Sequence, residues 1–426
     1  MLGTQQLLAA VVMAAGSIQP SAGAALPAAA AAEVAAAAEA AVAAGGATAA
    51  AQSPAQACSL NGHLAAGSVS GSGNATCACS PGWHGAACEI LRLPALAAGF
   101  AGSGSYGRSP NVTSWGATLV QDADLSYHLF VTEEQLGCGM TSWKQNSAIV
   151  HAVSSTPGKG AFRRVGMSVP FATNPAVHYD ATAKLWRMLL IKTGGPASKQ
   201  HHCGPRGAGG EADAAASPAL VRTSEGDGNG TNQLYSTPSL SQNWTLTPAS
   251  FPGCNNPTGA VDKAGTAWLL CHNGPGFHLY SAAAGWAAPA TGWLEHGNIL
   301  RAGDGVREGG CEDPSMWIDP SSGAFHVLAH CYSTTAWNGT NDGEFCAAHL
   351  FSADPTNTSS WGFHGGATMA PYGFGGVLST RERPTLTLGA DGTPAFLTNG
   401  VADLGHNRQA KHRDWAFTLI QPVLLN

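Results

Sequence analysis

Residues Gly309–Asp319 read GGCEDPSMWID, placing two adjacent carboxylates, Glu312 and Asp313, directly before a proline and an apolar run. Paired carboxylates can divide the work of acid and base, or of acid and nucleophile, at a glycosidic bond. A third acid, Glu382, stands beside Arg383 and again precedes a proline, Pro384. Glu312, Asp313 and Glu382 are therefore the candidate catalytic residues. Strand neighbours point to opposite faces, so only one of Glu312 and Asp313 is expected to enter a common site unless a bulge intervenes.

The elements that must position these acids emerge from lining up the prolines. NPAVHYDATAKLWRMLLIK begins at Asn174, NPTGAVDKAGTAWLLCHNG at Asn256, DPSMWIDPSSGAFHVLAHCYS at Asp313 and RPTLTLGADGTPAFLTNGV at Arg383. Each holds a polar residue, a proline, a short strand, a Gly/Asp turn and a second apolar strand. SWGATLVQDADLSYHLFVTEE, from Ser114, is a fifth copy without the proline. Further strand candidates lie between copies, among them SAIVHAVS, NQLYSTP, FHLYSAA, CAAHLFSAD and DWAFTLIQPV. No long amphipathic helical pattern interrupts them, so the fold class is all-β. Intervals of 57 to 82 residues suit four-stranded units with variable loops, and five copies predict a five-bladed β-propeller. Gly194–Pro218 reads as a loop insertion, and the His201–Cys203 cluster within it lacks a matching second set of metal ligands.

In such a fold the starts of the inner strands gather around one funnel. Trp115, Asn174, Asn256, His330 and Arg383 are the candidate substrate-binding residues, because amides and a guanidinium hold hydroxyls and an indole stacks on a sugar ring. For His128, His272 and His330 a hydrogen-bonded place within a blade is the simpler reading. Cys254 and Cys311 each stand three residues before a repeat proline, with Cys271 and Cys331 on the following strand. Cross-strand bonds Cys254–Cys271 and Cys311–Cys331 are expected, with bonds between blades as the alternative.

The repeat resembles the five-bladed propellers of glycoside hydrolase family 43 and its arabinanase, levansucrase and invertase relatives. That resemblance implies a secreted carbohydrate-active protein that binds, and in one version hydrolyses, a polysaccharide or glycoprotein glycan. It implies catalytic carboxylates on the first three blades, where this sequence has Ser-Trp-Gly, Asn174 and Asn256. The alternative is thus a non-catalytic extracellular glycan-binding or adhesion protein. No cofactor is required; an axial calcium is implied by the family alone.

Charged residues make up 11% of the 426 and the formal charge is −6, so no basic surface marks a nucleic-acid partner. Residues 1–25 carry an apolar run of signal-peptide length, and 26–56 form an Ala-rich linker. Sequons at Asn74, Asn111, Asn229, Asn243, Asn338 and Asn357 agree with a secretory route. Within residues 57–90, CACSPGWHGAAC resembles the end of an EGF-like module, with Cys77, Cys79, Gly82, Trp83, Gly85 and Cys88 matching. Similar domain pairs occur in algal and oomycete proteins. Four cysteines stand where six are usual, and the resemblance implies Cys58–Cys77 and Cys79–Cys88 pairs in a spacer module. Residues 91–426 are assigned to the propeller. Oligomeric state is left open.

Overall fold

Short apolar runs broken by Asp and Gly can form hairpins but cannot bury two faces alone, so they stack. A computed structural model describes residues 56–65, 76–96, 100, 102–109, 112–160, 162–193, 231–249, 251–253, 255–274, 276–301, 306–333, 344–365, 378–403 and 415–425. All belong to one unit, Ser53–Asn426, while Met1–Gln52 lies outside the described residues. The expected leader, nearly all of the linker, the insertion with His201–Cys203, and four of the six sequons also fall outside them.

Five antiparallel four-stranded sheets form a five-bladed propeller. Blade one comprises Thr113–Gln121, Tyr127–Glu134, Ser147–Ser154 and Arg163–Pro170. Blade two has Ala172–Asp180, Leu185–Lys192, Thr231–Thr237 and Thr245–Thr247. Blade three has Asn255–Val261, Ala267–Asn273, Gly276–Ala282 and Leu294–Asn298, and blade four Val306–Ile318, Phe325–Ser333, Glu344–Ser352 and Gly362–His364. Blade five takes Leu378–Leu388, Pro394–Asp403 and Phe417–Pro422 from the C-terminal end and borrows Gly104–Tyr106 as its fourth strand. This closure joins the ends of the repeat. Tyr106 then donates its phenol to buried Glu133 of blade one, which also pairs with Arg164.

The first hairpins of blades one to three share a device. One oxygen of the turn Asp accepts from backbone N–H, and the other grips a polar side chain near the start of the next strand. Asp122 holds His128, Asp180 holds Arg187 and Asp262 holds the Trp268 indole N–H. The core is divided among the seams between blades. Leu129 and Val131 pack toward Ile420 of blade five, whereas Phe130 between them packs toward Met188 and Leu190 of blade two. This is the period-two alternation of a strand buried on both faces.

The cysteine module packs against the propeller. Cys58 pairs with Cys77 and Cys79 with Cys88, and Cys58, Trp83, Cys88 and Leu91 fill a core with Leu328, Leu386, Leu397 and Val423 of blades four and five. Trp83 stacks on His349 of blade four at 5.1 Å. The module thus buries its tryptophan in the seam between these blades. In blade four Cys311 pairs with Cys331. Cys271 and Cys138 are also disulfide-bonded, while Cys254 lies outside the described residues. Among the described residues no helix is long and apolar enough to cross a membrane.

Imidazoles make the fold sensitive to acid. His326 bonds His349 at 3.0 Å and His128 bonds His151 at 2.9 Å, so each pair needs a neutral acceptor nitrogen. Burial pushes His151, His178 and His326 down to about 4 and His349 well below its ordinary value. Bases with depressed values stabilise the fold fully above the unfolded value near 6.5, and that stability is lost as pH falls toward 4. Each fully buried ring contributes up to about 1.4 kcal/mol per pH unit in this window. Thermal unfolding from pH 7 to pH 4 should show a steep fall in Tm below pH 6.5, shallower in His326→Phe. An unchanged Tm across that range would refute the neutral-histidine account.

Candidate functional site

Each inner strand carries the same irregularity. The ladder to the second strand slips after Trp115, Thr173, Asn255, Glu312 and Glu382, so every blade is bulged at this place, and blades four and five carry further slips. The residue at each bulge is left-handed: Gly116 (φ 61°), Asn174 (60°), Asn256 (46°), Asp313 (56°) and Arg383 (52°). For a non-glycine residue this conformation costs roughly 1–2 kcal/mol, least for Asn and Asp. Four such residues persist because of what their side chains meet.

They meet one another. Arg383 donates to Asp313 Oδ1 at 2.7 Å and to Asn256 Oδ1 at 3.4 Å. Asn256 donates its own amide to Asp313 Oδ1 at 2.6 Å, and Asn174 donates to Asn256 Oδ1 at 2.6 Å. Thr173 Oγ1 donates to Asn174 Oδ1, and the Asn174 N–H donates to Thr132 Oγ1 of blade one. Blade one otherwise contributes space. A Cβ on Gly116 would stand 2.5 Å from Arg383 Cδ, so glycine there admits the arginine to the axis. The five bulges thus form a polar plug. Burial pushes the Asp313 carboxyl up and Glu312 adds to it, while Arg383 leads the groups that oppose this.

The residues just before the bulges form a second ring. Ladder partners share a face of the sheet, so Glu312 faces the same side as His330, Asn255 as His272, and Glu382 as Gly400. His330 Nδ1 lies 3.6 Å from Glu312 Oε1. Glu312, Asp313, His330 and Glu382 each bring a ligand atom within 4.8 Å of the others. The Glu312 side chain is 34% exposed, whereas that of Asp313 is 3% exposed. Burial lowers the basicity of His272 against the pull of Glu312. Trp115 lies partly exposed across blade five, its indole over Gly400. Every predicted site residue therefore lies at the two rings or opposite them across the ladder. The bulge in blade four brings both Glu312 and Asp313 inward, and Asn174, Asn256 and Arg383 spend their polar groups on the plug. Thr132, Thr173, Gly116 and Gly400 were missed. Gly116 was detectable, as the residue of the first copy that aligns with Asn174, Asn256, Asp313 and Arg383.

The axis does not fit calcium, which takes six to eight oxygen ligands. A guanidinium stands there, and the nearby oxygens accept from N–H donors. Among the described residues the cluster of Glu312, Glu382 and His330 could hold a divalent ion. Its nitrogen donor suits a transition metal better than calcium. Beyond the plug, whose Gly116, Asn174, Asn256, Asp313 and Arg383 help to line it, the inner strands of all five blades surround a cavity of about 620 Å³, and Glu312, His330 and Glu382 are not among its lining residues.

No protein-family model and no curated protein matches the sequence. Among solved structures, the chain resembles an α-L-arabinofuranosidase from Lactobacillus brevis at 13% identity and TM-score 0.46, covering 74% of this chain and 92% of that one. It also resembles Zg3597, a family 117 glycoside hydrolase from Zobellia galactanivorans, at 11% identity and TM-score 0.45, covering 79% and 90%. A mutant of the GH43 protein BlXynB from Bacillus licheniformis matches at 10% identity and TM-score 0.44, over 75% of this chain. This chain spans 54% of the length of that protein.

Removing one partner of a buried ion pair costs about 3–5 kcal/mol. Arg383→Met should therefore lose about that much stability in denaturant unfolding, and Asp313→Asn in the same chain should restore part of it. Gly116→Ala should also destabilise, because its methyl meets Arg383. Equal stability of Arg383→Met and the parent would show that the plug does not hold the blades.

Proposed function

We propose that this chain is a carbohydrate-active propeller that hydrolyses a glycosidic bond of an extracellular polysaccharide or glycoprotein glycan, with Glu312 and Glu382 as its working carboxylates. The observation that carries this is their convergence, within 4.8 Å and partly exposed, while Asp313 is bound into the plug. Asp313 is then a positioning residue: tied to Arg383, it sets the bulge that turns Glu312 into the site. Glu312, beside His330, is the nucleophile, and Glu382 is the acid and base.

Retaining glycosidases hold their carboxyl groups about 5–5.5 Å apart and inverting ones about 6.5–9.5 Å. One oxygen of each carboxylate lies within 4.8 Å of the other, which is compatible with the shorter, retaining separation. Glu382 gives its proton to the leaving oxygen as a Glu312 oxygen bonds the anomeric carbon and the glycosidic C–O bond breaks. Glu382 then takes a proton from water, whose oxygen displaces Glu312 and releases the sugar. A metal bound by Glu312 and Glu382 would supply electrostatic help to hydroxyl binding instead.

The disulfides support residence in an oxidising compartment, as do the exposed sequons Asn243 and Asn357. The full-length chain should release sugar from at least one of arabinan, xylan, fructan and galactan, with the anomeric configuration retained by proton NMR. Glu312→Gln and Glu382→Gln should each lower turnover by about 100-fold or more at unchanged Tm. Full turnover in both variants would remove them from the chemistry. Retention on a polysaccharide without any release would make the chain a glycan-binding protein.

A further inference from the structure

Resting on that reading, we infer that Gly400 is a positioning residue that seats Trp115 as a flat platform for a pyranose ring beside Glu382. Glycine at 400 is not explained by its backbone, since its φ lies outside the left-handed region that the other special glycines occupy. It is explained by the indole. A Cβ built on Gly400 would lie 2.7 Å from Trp115 Cδ2, 2.8 Å from Cε3 and 3.0 Å from Cε2, the atoms around the ring-fusion bond. Contacts below 3.0 Å with a rigid fused ring cannot be relieved by rotating a flexible end, so any side chain at 400 moves Trp115.

The seat has a direction. Gly400 is the ladder partner of Glu382, so the missing side chain and the Glu382 carboxylate share one face of blade five. Trp115 occupies that vacated place, and because it comes from blade one it crosses the seam where the propeller closes. Gly116, next in sequence, admits Arg383 across the same seam in the opposite direction. Two adjacent residues therefore exchange side chains with blade five. Arg383 goes to the plug and Trp115 goes to the acids. With one indole face on Gly400 and the residue partly exposed, a ligand would meet the indole from its exposed side.

A broad planar indole fits a ligand with a flat apolar face. Pyranose rings present contiguous ring C–H bonds on such a face, while furanose rings are puckered and present less. The class implied is a pyranosidic chain, and Gly400 sets how deeply its ring can sit against Glu382.

Native gels cast with xylan, galactan, arabinan or fructan test this on the full-length chain. Retardation by xylan or galactan is expected, on the order of tenfold weaker in Gly400→Ala and in Trp115→Ala. The double variant should be no weaker than Trp115→Ala alone, because the methyl then meets no ring. Trp115→Leu in the Gly400→Ala background serves if the alanine pair folds poorly, with Tm recorded for each. On a hydrolysed substrate, Gly400→Ala should raise KM with kcat nearly kept, opposite to Glu312→Gln. Unaltered retardation of Gly400→Ala, additive effects in the double variant, or retardation by arabinan and fructan alone would overturn the platform. Loss of retardation in Gly400→Ala while both glutamine variants keep full turnover would sustain the platform and sink the proposed acid pair. Failure of the parent chain to bind in all four gels would overturn both.

Discussion

The ion pair between Arg383 and Asp313 sits where five blades would otherwise leave an open axis. A buried ion pair is not by itself a strong source of stability, since desolvation offsets the attraction. Its value lies in specificity. Arg383 also reaches Asn256, which binds Asp313 and receives Asn174, so one guanidinium fixes the bulge positions of blades two to five relative to one another. Gly116 completes the ring by having no side chain. Left-handed Asn, Asp and Arg residues are tolerated because the network over-determines them.

From this follows the sorting of the acids. In a regular strand Glu312 and Asp313 would face opposite sides. The bulge lets Asp313 turn to the axis and Glu312 remain on the face of His330, and Glu382 and Arg383 divide in the same way. In blades four and five the x-Pro step thus delivers one residue to the plug and its predecessor to the pocket. The amides at Asn174 and Asn256 belong to the first group, so their lack of charge bears on how the axis is held rather than on whether the pocket can move protons.

Much of this was legible because inner strands repeat. The prolines mark the bulges of four inner strands, which begin earlier than the sequence suggested, and the turn Asp and Gly residues mark the hairpins, so blade number could be read directly. The Cys311–Cys331 pair followed from the same register. Closure by Gly104–Tyr106 was hidden: three residues carry no periodicity, and their partner strand begins more than three hundred residues later. The docking of Trp83 was hidden for a related reason. A lone tryptophan in a disulfide module looks like local packing until blade four supplies His349 beneath it. The bulges themselves were only half visible, since an Asn before a proline suggests a turn but does not say where its side chain ends. Gly400 could not be read at all, because its reason is a side chain from another blade.

The most direct test is a crystal structure of the full-length chain soaked with a pyranosidic oligosaccharide. A sugar ring should lie against Glu312, Glu382 and Trp115, with Arg383, Asp313, Asn256 and Asn174 still bonded to one another beneath it. A sugar bound directly to those four residues with the plug broken, or lodged only in the cavity beyond it, would contradict the division of the axis into a holding ring and a working ring.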